Sequence, residues 1–278
     1  MGMLSIASRF RREVINIART CGAMTAARYV AAITRAVPEI LRARSLAPAD
    51  RFMQAGSWSF NVDGTTINLD GKYFGGAREM YCRRVYFQGR PMTLHPDDTV
   101  IDLGANMGLF TLLAATRCRR VVAVEAQAGF AREIESLLAS KGLASKAHVE
   151  NVLVGGATGL FSRREELESA SHFGGVVAPS MKMSELLAKH HIDRVDFLKC
   201  DIEGSEFDLI RGGEPWLDRV QRIAMEVHVG SGDPLRVAES LRQAGFTVEL
   251  RDSDLRLQTG LTRDGYLYAW RGPGAAAS

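Results

Sequence analysis

The chain has 278 residues, 46% of them hydrophobic and 24% charged, with a formal net charge of +3. That balance excludes a disordered, collagen-like or coiled-coil protein and is too weakly basic to argue for nucleic acid by itself. Cys21, Cys82, Cys118 and Cys200 form no C-x-x-C pair and no zinc-finger spacing, so reduced thiols and a cytoplasmic setting are expected.

The start of the chain shows no secretory signal, and Arg28 and Arg35 make the apolar stretch Cys21–Val37 too polar to span a bilayer. Residues 1–50 read as a basic helical extension, with Arg9, Arg11, Arg12, Arg19, Arg28, Arg35, Arg42 and Arg44 against Glu13, Glu39 and Asp50. Val14, Ile17, Ala18 and Cys21 fall at helical spacing; two helices are expected, with Pro38 and Pro48 interrupting or ending them. Such an extension packs on the core or on another subunit, which keeps a homo-oligomer open, and a weak membrane-surface contact is a second reading.

Residues 51–96 form the lead-in. Trp58 to Leu69 predicts a β-hairpin turning at Asp63-Gly64, followed by a glycine-rich loop segment. From Asp97 to the last residue, 97–278, strands alternate with helices. Strands are expected at Val100–Leu103, Arg120–Glu125, Ala147–Val154, Val195–Cys200 and Val220–Val227. Helices are expected at Leu109–Thr116, Phe130–Lys141, Met183–His190, from Phe207, and at Pro234–Ala244. Phe246–Arg251 and Gly265–Arg271 close the chain as an antiparallel pair. Alternation of this kind means parallel strands joined by right-handed crossovers, a doubly wound α/β domain. Leu160 to Pro179, with His172, Phe173, Gly174 and Gly175, reads as an insertion forming a lid.

The run Asp102-Leu103-Gly104-Ala105-Asn106-Met107-Gly108 closes the first core strand and opens a helix. Its glycines are spaced G-x-x-x-G, which is neither the dinucleotide fingerprint nor a P-loop, so a pyrophosphate cradle is disfavoured. An acid before the glycine suits a cationic ligand such as S-adenosylmethionine. Gly104, Asn106 and Gly108 would then shape the loop, with Asp102 near the amino group. Glu125 ends the second strand where a carboxylate can accept from a ribose diol. The run Val195-Asp196-Phe197-Leu198-Lys199-Cys200-Asp201-Ile202-Glu203-Gly204-Ser205-Glu206 sets carboxylates at the carboxyl edge of the fourth strand, and Glu226-Val227-His228 does so on the fifth. Asp201, Glu203, Glu226 and His228 are candidates for a general base with its partner; a divalent metal, if used, would take Asp201, Glu226 and His228.

At these residues the sequence resembles the FkbM family of methyltransferases, from about Asp98 to Trp270. The landmarks are VIDLGANMGLFTLLAA, VVAVEAQ, Met181 to Leu186, VDFLKCDIEGSEFDLIRGG and AMEVH. The resemblance implies a class I, Rossmann-like methyltransferase fold with a mostly parallel seven-stranded sheet and a final antiparallel strand. It implies S-adenosylmethionine as donor and O-methylation of a hydroxyl on a small molecule, glycan or polyketide-type acceptor. Ala126, Cys200 and Ser184 depart from the family's usual proline, aliphatic residue and aspartate. Three rivals stand beside this reading: a nucleic-acid methyltransferase, a nicotinamide oxidoreductase, and a non-catalytic cofactor-binding protein. The first lacks the N/D-P-P-Y/F strand end and its basic–aromatic interleaving, and Cys200 reads as core packing.

Overall fold

The computed structural model describes residues 3–89, 91–155, 179–211 and 215–272. The Leu160 to Pro179 lid expectation, with His172 to Gly175, falls outside these residues except at Pro179. The chain divides into two compact units, Met1–Val85 and Tyr86–Ser278.

In the first unit the basic segment forms three helices rather than two: α1 (Met3–Cys21), α2 (Ala23–Arg35) and α3 (Val37–Ala43), followed by a 3-10 turn at Ala47–Met53. Pro38 does not end a helix. It occupies the first turn of α3, where its missing N–H has no helical partner to lose. Strands β1 (Ser57–Val62) and β2 (Thr65–Asp70) pair antiparallel across the two-residue turn Asp63-Gly64, as the hairpin signal predicts. Both strands alternate buried and exposed residues, so one face carries Trp58, Phe60, Ile67 and Leu69 inward. Phe74, in the single turn α4 (Phe74–Ala77), meets Trp58 at 5.4 Å and Tyr29 at 5.8 Å between ring centroids.

In the second unit the first two core strands, β3 (Thr99–Leu103) and β4 (Arg120–Val124), are buried along nearly all their length. Continuous apolar runs are the mark of parallel strands covered on both faces. Helices α5 (Leu109–Arg117) and α6 (Ala128–Ser140) supply crossovers between them and to β5 (Ala147–Glu150). The single strand expected at Ala147–Val154 is two. At Asn151 the chain leaves the ladder, and its side-chain amide donates to the carbonyls of Glu125 and Ala126. Beyond it, β6 (Leu153–Val154) pairs with β7 (Ser180–Met181) in a small separate sheet.

Helix α7 (Met183–Lys189), strand β8 (Phe197–Cys200), the one-turn helix α8 (Glu206–Leu209) and strand β9 (Arg222–Val227) continue the pattern. Helix α9 (Pro234–Gln243) leads to β10 (Thr247–Asp252), the two-residue β11 (Leu257–Gln258) and β12 (Gly265–Trp270). The sheet order is β11-β10-β12-β9-β8-β3-β4-β5. Strand β12 enters between β9 and β10, antiparallel to both, and β11 adds an edge to the seven expected strands. This is the class I methyltransferase sheet: an α/β fold, mostly parallel, with β12 reversed inside it and the short β11 reversed at its edge. The first residues of the unit pack into it, with Phe87 stacked on Phe110 at 5.5 Å and Arg222 bonding the carbonyls of Pro91 and Thr93. Among the described residues, no helix is long and apolar enough to cross a membrane.

Candidate active site

The carboxyl ends of β3, β4 and β8 meet at a cavity of about 420 Å³. Gly104, Asn106 and Glu125 line it, Phe130 and Val152 add apolar surface, and Asp201 and Glu203 add carboxylates. Gly104 has φ +70°, and a Cβ there would lie 1.7 Å from the Asp201 carbonyl oxygen. Only glycine lets the β3 loop pass this close to the end of β8. Gly108, also left-handed, sits at the N-terminus of α5 against Ile134, away from the cavity.

Glu125 follows β4 and is buried, 6% exposed. The N–H of Asn106 donates to its Oε2 and the N–H of Gln127 to its Oε1, each at 2.8 Å. Burial raises its pKa, and the two backbone donors offset part of that rise. The carboxylate is thus held rigidly at the cavity wall, and each oxygen keeps a lone pair for a further donor. A vicinal diol fits that arrangement, and the neighbouring apolar wall fits a flat base.

Asp102 turns inward. It is 0% exposed, accepts from the Thr111 hydroxyl at 2.6 Å, and lies 3.1 Å from Lys199 Nζ. It is not a lining residue of the cavity. Lys199 was not singled out from sequence, although a lysine inside an apolar strand is itself a signal, since buried lysines need a partner. Its ammonium donates to the carbonyls of Leu103 and Gly104, at 3.2 and 2.6 Å, and stands 3.9 Å from Asp201 Oδ2. Burial pulls its pKa down, but Asp102 and Asp201 outweigh burial and hold it above the usual lysine value. A fixed cation therefore ties the glycine loop to the acidic strand end.

The four candidate base residues divide into two contacts. Asp201 Oδ2 accepts from the Tyr86 hydroxyl at 2.9 Å, and Glu226 Oε2 lies 3.3 Å from the same oxygen. His228 Nδ1 is 2.9 Å from Glu206 Oε1, while its Nε2 is 3.7 Å from Glu203 Oε2. Glu206 is completely buried and also accepts from the backbone N–H groups of His228 and Gly204. It belongs to the run quoted from sequence but was not among the site residues. Tyr86 was missed because it lies in a loop segment with no motif. Burial lowers the His228 pKa, but Glu206 first, then Asp201 and Glu203, outweigh it and raise it to about 9. Ligand atoms of Asp201, Glu203 and His228 all lie within 4.8 Å of one another, so the structure groups Glu203, not Glu226, with this pair. Cys200 is fully buried and its thiol is pushed well above its ordinary pKa, chiefly by burial, as befits a packing residue rather than a nucleophile.

The family model of the methyltransferase FkbM domain matches residues 102–248, more than half of the chain. The chain belongs to the FkbM methyltransferase family. The matched region begins at Asp102 and takes in every residue of the glycine loop, Glu125 and the acidic strand ends. A stretch of the AMB antimetabolite synthetase AmbE of Pseudomonas aeruginosa is 26% identical over 231 residues, covering 64% of this chain. The chain spans only 11% of that relative's length. Methyltransferase FkbM of Methylobacillus flagellatus is a similar solved structure: TM-score 0.45, 15% identity, 72% of this chain and 54% of the other covered. A precorrin 8W decarboxylase of Methanobacterium thermoautotrophicum superposes with TM-score 0.40 at 19% identity, over 64% of this chain and 83% of its own.

Proposed function

We propose that this FkbM methyltransferase transfers the methyl group of S-adenosylmethionine to a hydroxyl on a sugar, glycan or polyketide-type small molecule. One observation carries the reading: Glu125, Asp201 and Glu203 all line one cavity. Donor and acceptor binding groups thus face the same space. The bound donor supplies an electrophilic methyl on a sulfonium. Glu125 accepts from the donor's ribose hydroxyls, the Gly104–Asn106 loop closes over it, and Asp102 acts from behind through Lys199 and Thr111.

Asp201 and Glu203 hold the acceptor, and His228 removes its proton as the oxygen attacks. Glu206 fixes the imidazole by bonding Nδ1, so Nε2 is the nitrogen directed at the carboxylate cluster. Most of the rate comes from alignment of the attacking oxygen, since effective molarity lowers such barriers by about 7–11 kcal/mol.

Calorimetric titration with S-adenosylhomocysteine tests the donor half. Wild type is expected to bind in the micromolar range, and Glu125→Ala to lose roughly tenfold or more, the scale of a charge-assisted hydrogen-bond pair. Absence of binding, or an affinity indifferent to Glu125→Ala, would remove the donor assignment.

A further inference from the structure

Tyr86 stands upstream of residue 102, where the family match begins, and is 3% exposed. Its ring is held edge-on by Phe110 and Tyr266, each 6.1 Å away between centroids, and the Lys199 ammonium lies 5.4 Å from its face. A phenylalanine would fill that space equally well. The hydroxyl is the part that packing does not require, and a buried hydroxyl costs stability unless it is bonded.

That hydroxyl touches two carboxylates on neighbouring strand ends, Asp201 after β8 and Glu226 on β9. It carries one proton, and the 2.9 Å contact against the 3.3 Å one assigns it to Asp201. Asp201 Oδ2 therefore has Tyr86 on one side and Lys199 on the other, which leaves Oδ1 for a group in the cavity. Burial, then Asp201 and Glu226, push the phenol well above its ordinary pKa, so it stays a donor across the working pH range.

We propose that Tyr86 is a positioning residue for methyl transfer: its hydroxyl fixes Asp201, with Glu226 beside it, in the orientation that receives the acceptor. The proposal rests on the methyltransferase reading above and adds a residue from outside the matched domain to its acceptor side. A chain cut to begin at Asp97 would keep every motif and lose this contact.

The test is Tyr86→Phe in the full chain, which keeps the ring and removes one oxygen. Two readouts separate the donor side from the acceptor side: S-adenosylhomocysteine affinity by calorimetry, and kcat with donor KM for transfer to a panel of alkyl glycosides and hydroxyacyl thioesters. The expected result is an affinity within about twofold of wild type, unchanged donor KM, and kcat lower by about tenfold or more. An unchanged kcat overturns the proposal. So does joint loss of affinity and kcat, the signature of a purely structural tyrosine. A double-mutant cycle with Asp201→Asn, read on urea midpoints, needs no acceptor: non-additive effects support the contact, and additive effects sink it. Should wild type fail to bind S-adenosylhomocysteine, the donor assignment falls while the cycle still decides the Tyr86–Asp201 contact.

Discussion

Each unit of the molecule buries one long cation among carboxylates, and the two clusters are built for opposite ends. In the first unit Arg78 is closed in: Glu13 accepts from Nη1 at 2.9 Å, Asp50 accepts from Nε at 2.9 Å and Nη2 at 3.0 Å, and Arg83 also reaches Glu13. Each of the three guanidinium nitrogens has a carboxylate acceptor. In the second unit Lys199 is equally buried, but one of its carboxylates, Asp201, keeps 26% of its side chain exposed and lines the cavity. The difference teaches that a buried charge cluster marks a working site only where one member still faces a space a ligand can enter.

The sharpest way to break the comparison is Arg78→Met. Removing one partner from a buried, fully bonded network leaves Glu13 and Asp50 uncompensated, a loss of about 3–5 kcal/mol. Chemical unfolding should show the first transition at much lower denaturant. S-adenosylhomocysteine affinity measured below that transition is expected to stay near wild type; a specific loss there would mean the closed cluster is not merely structural.

A smaller effect sharpens the other side. With His228 raised from 6.5 to about 9, kcat/KM should climb with pH, reach half its maximum near 9 and level off above it as the imidazole gives up its proton. Glu206→Gln removes the largest raising influence, so that limb moves to lower pH. A limb that stays in place would transfer the base role to another group. The same shift has a stability consequence of opposite direction: the pairing stabilises the fold fully below about 6.5, and that contribution is lost as pH rises through about 9.

The smallest expected effect is that of metal. Asp201 Oδ2 is committed to Tyr86 and has the Lys199 ammonium 3.9 Å away, a fixed cation that disfavours a second one. Turnover after dialysis against a chelator is expected to equal turnover in magnesium or manganese. A rate that depends on the added ion would make Asp201, Glu203 and His228 metal ligands instead of acceptor-holding groups and base.

Much of this was readable along the chain because the signals are local. A short strand with Val100, Ile101 and Leu103, ended by glycine, forms β3; Asp63-Gly64 turns the hairpin, and acids at strand ends announce the edge where chemistry gathers. Readings went astray where the deciding contact is distant in sequence. The strand after α6 breaks because Asn151 bonds carbonyls of the β4 end, and no periodicity encodes that.

The sequence alone determined the family, the order of strands and helices, and the residue types at the cavity, because periodicity, turn chemistry and motif spacing are properties of short segments. Only the tertiary structure decided that β12 slips between β9 and β10, that Glu206 rather than another acid holds His228, and that Tyr86 reaches Asp201. Each of these joins residues far apart in the chain. The free energy that selects them, burial of apolar rings and pairing of charges removed from water, exists only once the whole sheet has assembled.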